Sequence, residues 1–93
     1  MAEPDLVVGT VVSVDDHAGA RAPSYLLRID LGPRGRHDAS IDRGNHQAEE
    51  LLGTQVVVSL REGDAVVVAA RSHAAGMILL RPDREVEDGT VVA

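Results

Sequence analysis

The sequence predicts an all-β fold, a five-stranded barrel with one short helix between the third and fourth strands. Three stretches predict it: a long apolar strand at the start of the chain, an alternating strand after it, and an apolar hairpin in the second half. Successive side chains of a strand point to opposite faces, so alternation with period two indicates a strand with one buried face. A chain of 93 residues is sufficient for one such domain, spanning 1–93.

The first strand is predicted from Leu6 to Val14. Small apolar residues occupy both of its faces, which is typical of a long, central strand. Gly9 lies in its middle and has no side chain to pack. A glycine inside a strand indicates a bulge or a sharp bend, and such bends allow a sheet to close on itself.

The second and third strands follow a polar connection and are joined by a turn. Tyr25, Leu27, Ile29 and Leu31 alternate with more polar positions, which predicts the second strand. The turn is predicted at 32–35, where proline fixes φ and glycine accepts positive φ. A third, weaker alternation predicts a strand at 36–42.

One helix is predicted, from Asn45 to Leu52. Asn45 is an acceptable N-cap, and Gly53 is placed to end the helix. Leu51 and Leu52 give it an apolar face. We therefore expect both leucines to be buried, closing one end of the barrel.

The second half of the chain predicts further strands. Two apolar stretches, 55–60 and 65–70, flank the residues 61–64, which predicts a tight hairpin. A loop is predicted at 71–75, a strand at 77–80, and a short tail at 86–92 around the Asp88-Gly89 turn.

Composition limits the functions open to the chain. Hydrophobic residues make up 44% of it but aromatic residues only 1%, because Tyr25 is the single aromatic. Proteins that bind single-stranded nucleic acid usually stack bases on aromatic side chains, and that platform is almost missing. The formal charge is -6 and all nine basic residues are arginines. Such a chain repels a phosphate backbone overall, although a local arginine cluster could still form a basic patch.

The sequence also indicates where the protein resides. It has no cysteine, which is compatible with a reducing compartment. No apolar run is long enough to cross a membrane, and the N-terminus lacks the basic and apolar parts of a signal peptide. We expect a cytoplasmic protein that does not bind membranes.

No constellation of residues predicts catalysis, a metal or a cofactor. The histidines 17, 37, 46 and 73 lack metal-type spacing, and Asp15-Asp16-His17 is better explained as a solvated turn than as a metal cluster. His37 and Asp38, with Ser40 nearby, are no triad, since neighbours along a strand point to opposite faces. We expect no enzyme activity.

The stretch 5–32 resembles the opening of the tRNA-binding domains with the oligonucleotide-binding (OB) fold, and especially their CsaA branch, described as export-related chaperones. The residues that carry the resemblance are Asp5, Gly9, Thr10, Ala20-Arg21, Pro23 and Ile29-Asp30-Leu31-Gly32, with Pro82-Asp83 and Gly89-Thr90 near the C-terminus. The resemblance implies an OB barrel, tRNA or unfolded polypeptide as a partner, and a homodimer.

One segment departs from the family's pattern. In the tRNA-binding domains and in CsaA, the connection between the fourth and fifth strands is longer, starts with Asn, carries Pro and basic residues, and ends in a Ser-Glu pair. Here it has shrunk to Ser59–Asp64, where only Arg61 is basic and Glu62 and Asp64 are acidic. The family's ligand-binding loop is therefore expected to be missing.

Three functions remain open on the sequence alone. The first is a tRNA-binding module that uses arginines in the first connection and on the second and third strands. The second is a CsaA-like, chaperone-like module that binds extended polypeptide as a homodimer, with weak affinity for RNA at most; this is our interpretation. The third is a diverged domain that has lost both ligands. The candidate binding residues are Arg21, Arg28, Arg34, Arg36, Ser40 and Arg61.

Overall fold

Strand β1 (Asp5–Asp16) is central to the fold because it pairs with two different strands. Its first half, from Asp5 to Thr10, is antiparallel to β4, and its second half, from Thr10 to Asp16, is antiparallel to β2. The two partners lie on opposite edges of β1 and are offset along it, and such a stagger between neighbouring strands is what a closing barrel requires.

A computed structural model describes residues 5–19 and 21–93. Within these ranges the strands after β1 are β2 (Ser24–Asp30), β3 (Arg36–Asp42), β4 (Gln55–Arg61), β5 (Asp64–Val67), β6 (Ala69–Ser72) and β7 (Gly76–Leu79). A 3-10 turn covers Gly32–Arg34, and helix α1 covers Ala48–Leu51. With four residues, α1 is far too short to cross a bilayer, and none of the helices in these ranges could do so.

Five strands form the barrel, in the order β3-β2-β1-β4-β5. The outer members β3 and β5 contact each other, so the sheet is nearly closed. Strands β6 and β7 form a separate two-stranded ribbon. The predicted all-β fold, with a five-stranded barrel and one short helix between its third and fourth strands, is confirmed.

Gly9 permits a close approach of β1 to the end of β2, but the bulge lies elsewhere. A β-carbon at Gly9 would stand 2.7 Å from Ile29 Cγ2 and 2.8 Å from the Asp30 carbonyl oxygen, and would also collide with Leu31. Only glycine therefore lets β1 approach β2 this closely. The register shift that marks a bulge falls between Val11 and Ser13, beyond the predicted position.

The core is aliphatic, as the composition predicts. Its fully buried side chains come from β1, β2, β4 and α1, and include Val11, Leu27, Ile29, Leu51, Val56 and Val58. Leu31, just after β2, is also fully buried. The alternation predicted for β2 and for β3 is confirmed: Tyr25, Leu27, Ile29, Ala39 and Ile41 are buried, and the positions between them are exposed or half-buried.

The predicted helix was too long at its start and wrong about one leucine. Tyr25 donates its hydroxyl to the His46 carbonyl oxygen at 3.1 Å, and His46 Nε2 lies 3.1 Å from the Met77 carbonyl oxygen. These contacts hold the segment before α1 outside the helix, so Gln47 rather than Asn45 is the N-cap. Leu51 is fully buried as predicted, whereas Leu52 is 54% exposed.

The apolar stretch 65–70 is not one strand. The Val68 amide donates to the Val57 carbonyl oxygen. The Val68 carbonyl oxygen, however, accepts from the Leu80 amide, and the Leu80 carbonyl oxygen accepts from the Val57 amide. The end of β7 therefore takes the place beside β4 that a continuous strand would fill. As a result β5 ends at Val67 and β6 begins at Ala69. The predicted loop at 71–75 is also shorter, because β6 continues to Ser72.

Candidate functional site

The outward face of β1, β2 and β3 carries three of the six predicted binding residues, Arg28, Arg36 and Ser40. Two rows cross these strands, Ser13–Arg28–Asp38 and Asp15–Leu26–Ser40, each set by direct cross-strand pairing. We call this surface the strand face. Its rows enclose a shallow cavity of about 100 Å³ lined by Ser13, Asp15, Leu26, Arg28 and Asp38.

The arginines of the strand face are held by acids on the same sheet. Arg28 Nε lies 3.1 Å from Asp38 Oδ1, its direct neighbour on β3. Arg36 pairs more loosely with Asp30, at 4.0 Å between Nε and Oδ2. Opposite charges placed directly across a strand pair attract, so each acid competes with a phosphate for its arginine.

The remaining predicted residues are Ser40, on the strand face, and three arginines outside it, Arg21, Arg34 and Arg61. Arg34, in the 3-10 turn, donates from a guanidinium nitrogen to Asp5 Oδ2 at 2.7 Å. Ser40 Oγ lies 2.8 Å from His17 Nδ1, at hydrogen-bond distance. Arg21 is exposed in the β1–β2 connection, and Arg61 ends β4, which is separated from β2 by β1. In the described part of the chain, neither Arg21 nor Arg61 has an acid within ion-pair distance.

Tyr25, the single aromatic residue, is not available as a stacking platform. Its ring is in the core with 8% of the residue exposed, and the Arg43 guanidinium carbon lies 5.1 Å from the ring centroid. Arg43 is in turn held by Asp16, at 2.6 Å between Nη2 and Oδ1. A base cannot reach a tyrosine covered in this way.

The groups that sequence reasoning missed are the acids that hold the arginines. The sequence marks Arg28 as a candidate, but Asp38 becomes its partner only through the register of β2 and β3. His37 Nε2 donates to the Arg34 carbonyl oxygen, while Asp38 faces Arg28. Among the described residues, no group of three metal-ligating side chains could hold an ion.

The tight hairpin between β4 and β5 is confirmed. Glu62 and Gly63 form its two-residue loop, with φ angles of 51° and 86°. Positive φ at both central residues is typical of a type I′ turn, which matches the twist of antiparallel strands. Glutamate is an unusual residue at positive φ. The flanking pair Arg61 and Asp64 places opposite charges across the base of the hairpin.

Comparisons with known proteins point to one branch of OB folds. The structure superposes on the CsaA chaperone protein from Picrophilus torridus with a TM-score of 0.89, at 26% sequence identity, covering 97% of this chain and 92% of the other. The chaperone CsaA from Bacillus anthracis gives a TM-score of 0.83 at 27% identity, covering 97% and 91%. The chain therefore has the OB fold, and its structure is similar to that of the CsaA proteins.

Other relatives extend the comparison. A methionyl-tRNA-synthetase-related protein (MetRS related protein) from Pyrococcus horikoshii shares the fold, with a TM-score of 0.77 at 17% identity, covering 97% of this chain and 90% of the other. The methionine–tRNA ligases of Thermococcus kodakarensis and Methanococcus vannielii are 34% and 32% identical to this CsaA-like chain and cover 95% of it. The chain spans only 13% and 14% of these two ligases. No protein-family model matches the sequence.

Proposed function

We propose that this CsaA-like domain is a non-catalytic binding protein for extended polypeptide, with weak affinity for RNA at most. One observation carries the proposal: Arg28, Arg34 and Arg36, the arginines predicted to contact phosphates from the second and third strands, are each paired with an aspartate. At each of these arginines a phosphate would compete with a carboxylate that is already in place. The net charge of -6 adds long-range repulsion of nucleic acid.

The strand face suits a polypeptide better than a phosphate backbone. It offers Leu26 as a half-buried apolar centre with polar and charged side chains around it. An extended peptide can bring both apolar and polar side chains to such a surface. The relatives named as CsaA chaperones support this proposal, and the methionine–tRNA ligases support residual binding of tRNA as the second candidate.

We also propose that the domain is cytoplasmic and that it forms a homodimer, as its resemblance to CsaA implies. The core of a chain of 93 residues is thin, and association of two copies would add stability.

The proposal is tested by titrating the protein with labelled tRNA and with a labelled, permanently unfolded polypeptide at low and at physiological salt. We expect measurable polypeptide binding that changes little with salt, and tRNA binding that weakens steeply with salt. Tight tRNA binding together with no polypeptide binding would refute the proposal.

A pair of variants tests the ion-pair argument directly. Asp38→Asn removes the acid that holds Arg28, so it should strengthen tRNA binding by more than the loss of one negative charge explains. Asp15→Asn is the matched control, because it removes the same charge from the same face. In the described part of the chain Asp15 has no ion-pair partner. Equal effects of the two variants would mean that the Arg28–Asp38 pair does not limit binding.

A further inference from the structure

Strand β7 has one edge to which no strand is paired in the described ranges, since β7 pairs with β6 alone. In an antiparallel strand the N–H and C=O groups of one residue point to the same edge, and the edge alternates from residue to residue. The Leu80 amide donates to Val68, on the side where β6 begins, and the Met77 carbonyl accepts from His46, on the other side. The backbone groups of Met77 and Leu79 therefore point away from β6.

A groove follows this edge of β7. One cavity of about 260 Å³ is lined by Gly44, Asn45, His46, Ala75, Gly76, Met77 and Ile78. A second, of about 370 Å³, is lined by His46, Glu50, Ile78, Leu79 and Arg81. The two cavities share His46 and Ile78, so they are neighbouring parts of one groove between β7 and the segment 44–50. We call this groove the β7 groove.

His46 divides the β7 groove at its middle. Its Nε2 lies 3.1 Å from the Met77 carbonyl oxygen and must donate to it, since a carbonyl oxygen only accepts. The imidazole thus supplies the hydrogen bond that the N–H of a neighbouring strand would supply. It occupies the place that an added strand would take.

We propose that the β7 groove binds an extended segment of polypeptide as an added strand, whose backbone N–H replaces His46 at the Met77 carbonyl. Main-chain hydrogen bonds to an exposed sheet edge are an established way of binding extended peptides. The four residues of β7 span about 14 Å, enough for roughly four residues of the partner. This inference rests on the proposed polypeptide binding and names the surface that recognises the backbone.

The charges and exposed side chains of the groove suit a neutral backbone. Glu50 and Arg81 are the only ionisable residues besides His46 among its lining residues, and their charges cancel. A phosphate backbone would find no net positive charge there. Ile78, which is 42% exposed, offers an apolar contact for a side chain of the added strand.

Met77→Pro tests the added strand, with Met77→Leu as the matched control. Proline removes the N–H that points into the groove but leaves the hydrogen bonds between β7 and β6, because those are made by Gly76 and Ile78. The probe is a labelled peptide of about eight residues in which valine alternates with serine. We expect Met77→Pro to weaken peptide binding at least about tenfold relative to Met77→Leu. Proline removes one main-chain hydrogen bond to the peptide, and its ring blocks the edge of β7.

His46→Ala and amide exchange give two independent measurements. Because His46 competes for the Met77 carbonyl, its removal should strengthen peptide binding by about fivefold. The peptide should also slow hydrogen exchange of the Leu79 amide in the unmodified protein. This measurement tests the inference even if Met77→Pro fails to fold. Peptide binding that leaves Leu79 exchange unchanged and is indifferent to His46→Ala would overturn this inference but leave the proposed function standing. No binding of peptide or of unfolded polypeptide would overturn both.

Discussion

Thr10, on β1, donates its hydroxyl to Asp88 Oδ1 at 2.6 Å, although 78 positions separate the two residues. The same carboxylate oxygen lies 3.3 Å from Gln55 Nε2, and Gln55 forms two further hydrogen bonds with the backbone of Val86, at 2.6 and 3.0 Å. These side chains fasten the C-terminal tail to β1 and β4. The tail then continues along β1, where Val91 pairs with Val7.

Asp88→Ala should destabilise the domain by about 2 kcal/mol, because Thr10 and Gln55 both lose an ionised acceptor in a partly buried site. Glu87→Ala is the matched control: it removes the same charge one position earlier, from an exposed side chain. Urea unfolding measures both. Equal midpoints for the two variants would show that the Asp88 carboxylate does not hold the tail.

Leu51 and Leu52 offer a second comparison between neighbours. Leu51 is fully buried at the end of the barrel, so Leu51→Ala should cost roughly 2–4 kcal/mol as a core truncation. Leu52 is 54% exposed, and Leu52→Ala should cost well under half of that. Chemical denaturation measures the free energy of unfolding of both variants. A loss near zero for Leu51→Ala would contradict its role in closing the barrel.

The differences between prediction and structure have a common physical origin. The strand Arg36–Asp42 follows from local alternation, and its bounds were predicted correctly. The start of α1 was predicted wrongly because Tyr25 and Met77, distant in sequence, fix the conformation of His46. The break at Val68 likewise depends on Leu80. Residue patterns describe local preference, whereas these features are decided by contacts that form only in the folded chain.

The candidate site shows the same division. Charge and alternation place Arg28 and Ser40 on the outward side of their strands, and the structure agrees. The ion pairs that occupy the arginines could not be derived in this way. Arg28 and Asp38 are ten positions apart, and only the register between β2 and β3 brings them together.

The third prediction concerns the proposed homodimer. A row of uncharged residues crosses the tail, β1, β4 and β5, formed by Val92, Leu6, Ser59 and Val66. Val66 is 62% exposed in this row, and Leu6 and Val92 are more than one-third exposed. If two copies pair through this face, Val66→Asp should give a monomer because it buries a charge at the interface. Leu52→Asp, at an exposed leucine just after α1, should leave the dimer intact.

Light scattering at tens of micromolar protein measures the mass of both variants and of the unmodified chain. A monomer for the unmodified chain would contradict the homodimer. A dimer that survives Val66→Asp would place the interface on another surface.

The last prediction concerns the acidic hairpin between β4 and β5. Glu62 and Asp64 meet an approaching phosphate where related domains would present basic residues, so tRNA binding should be no tighter than about 10⁻⁴ to 10⁻⁶ M at physiological salt. Replacing both acids by lysine changes the net charge from -6 to -2 and should strengthen binding. Each new phosphate contact should also steepen the salt dependence, by a slope of up to about one.

The control must separate local contact from net charge. Asp83→Lys with Glu87→Lys makes the same change of charge on exposed residues of the tail, so it should strengthen binding only through the long-range field. Lysine at position 62 meets the same positive φ as glutamate, 51°, and adds no new backbone strain. Filter binding across a salt series compares the two double variants. Nanomolar, salt-sensitive binding of tRNA by the unmodified chain would contradict this account, because phosphates would then be held despite the acids beside Arg28, Arg34 and Arg36.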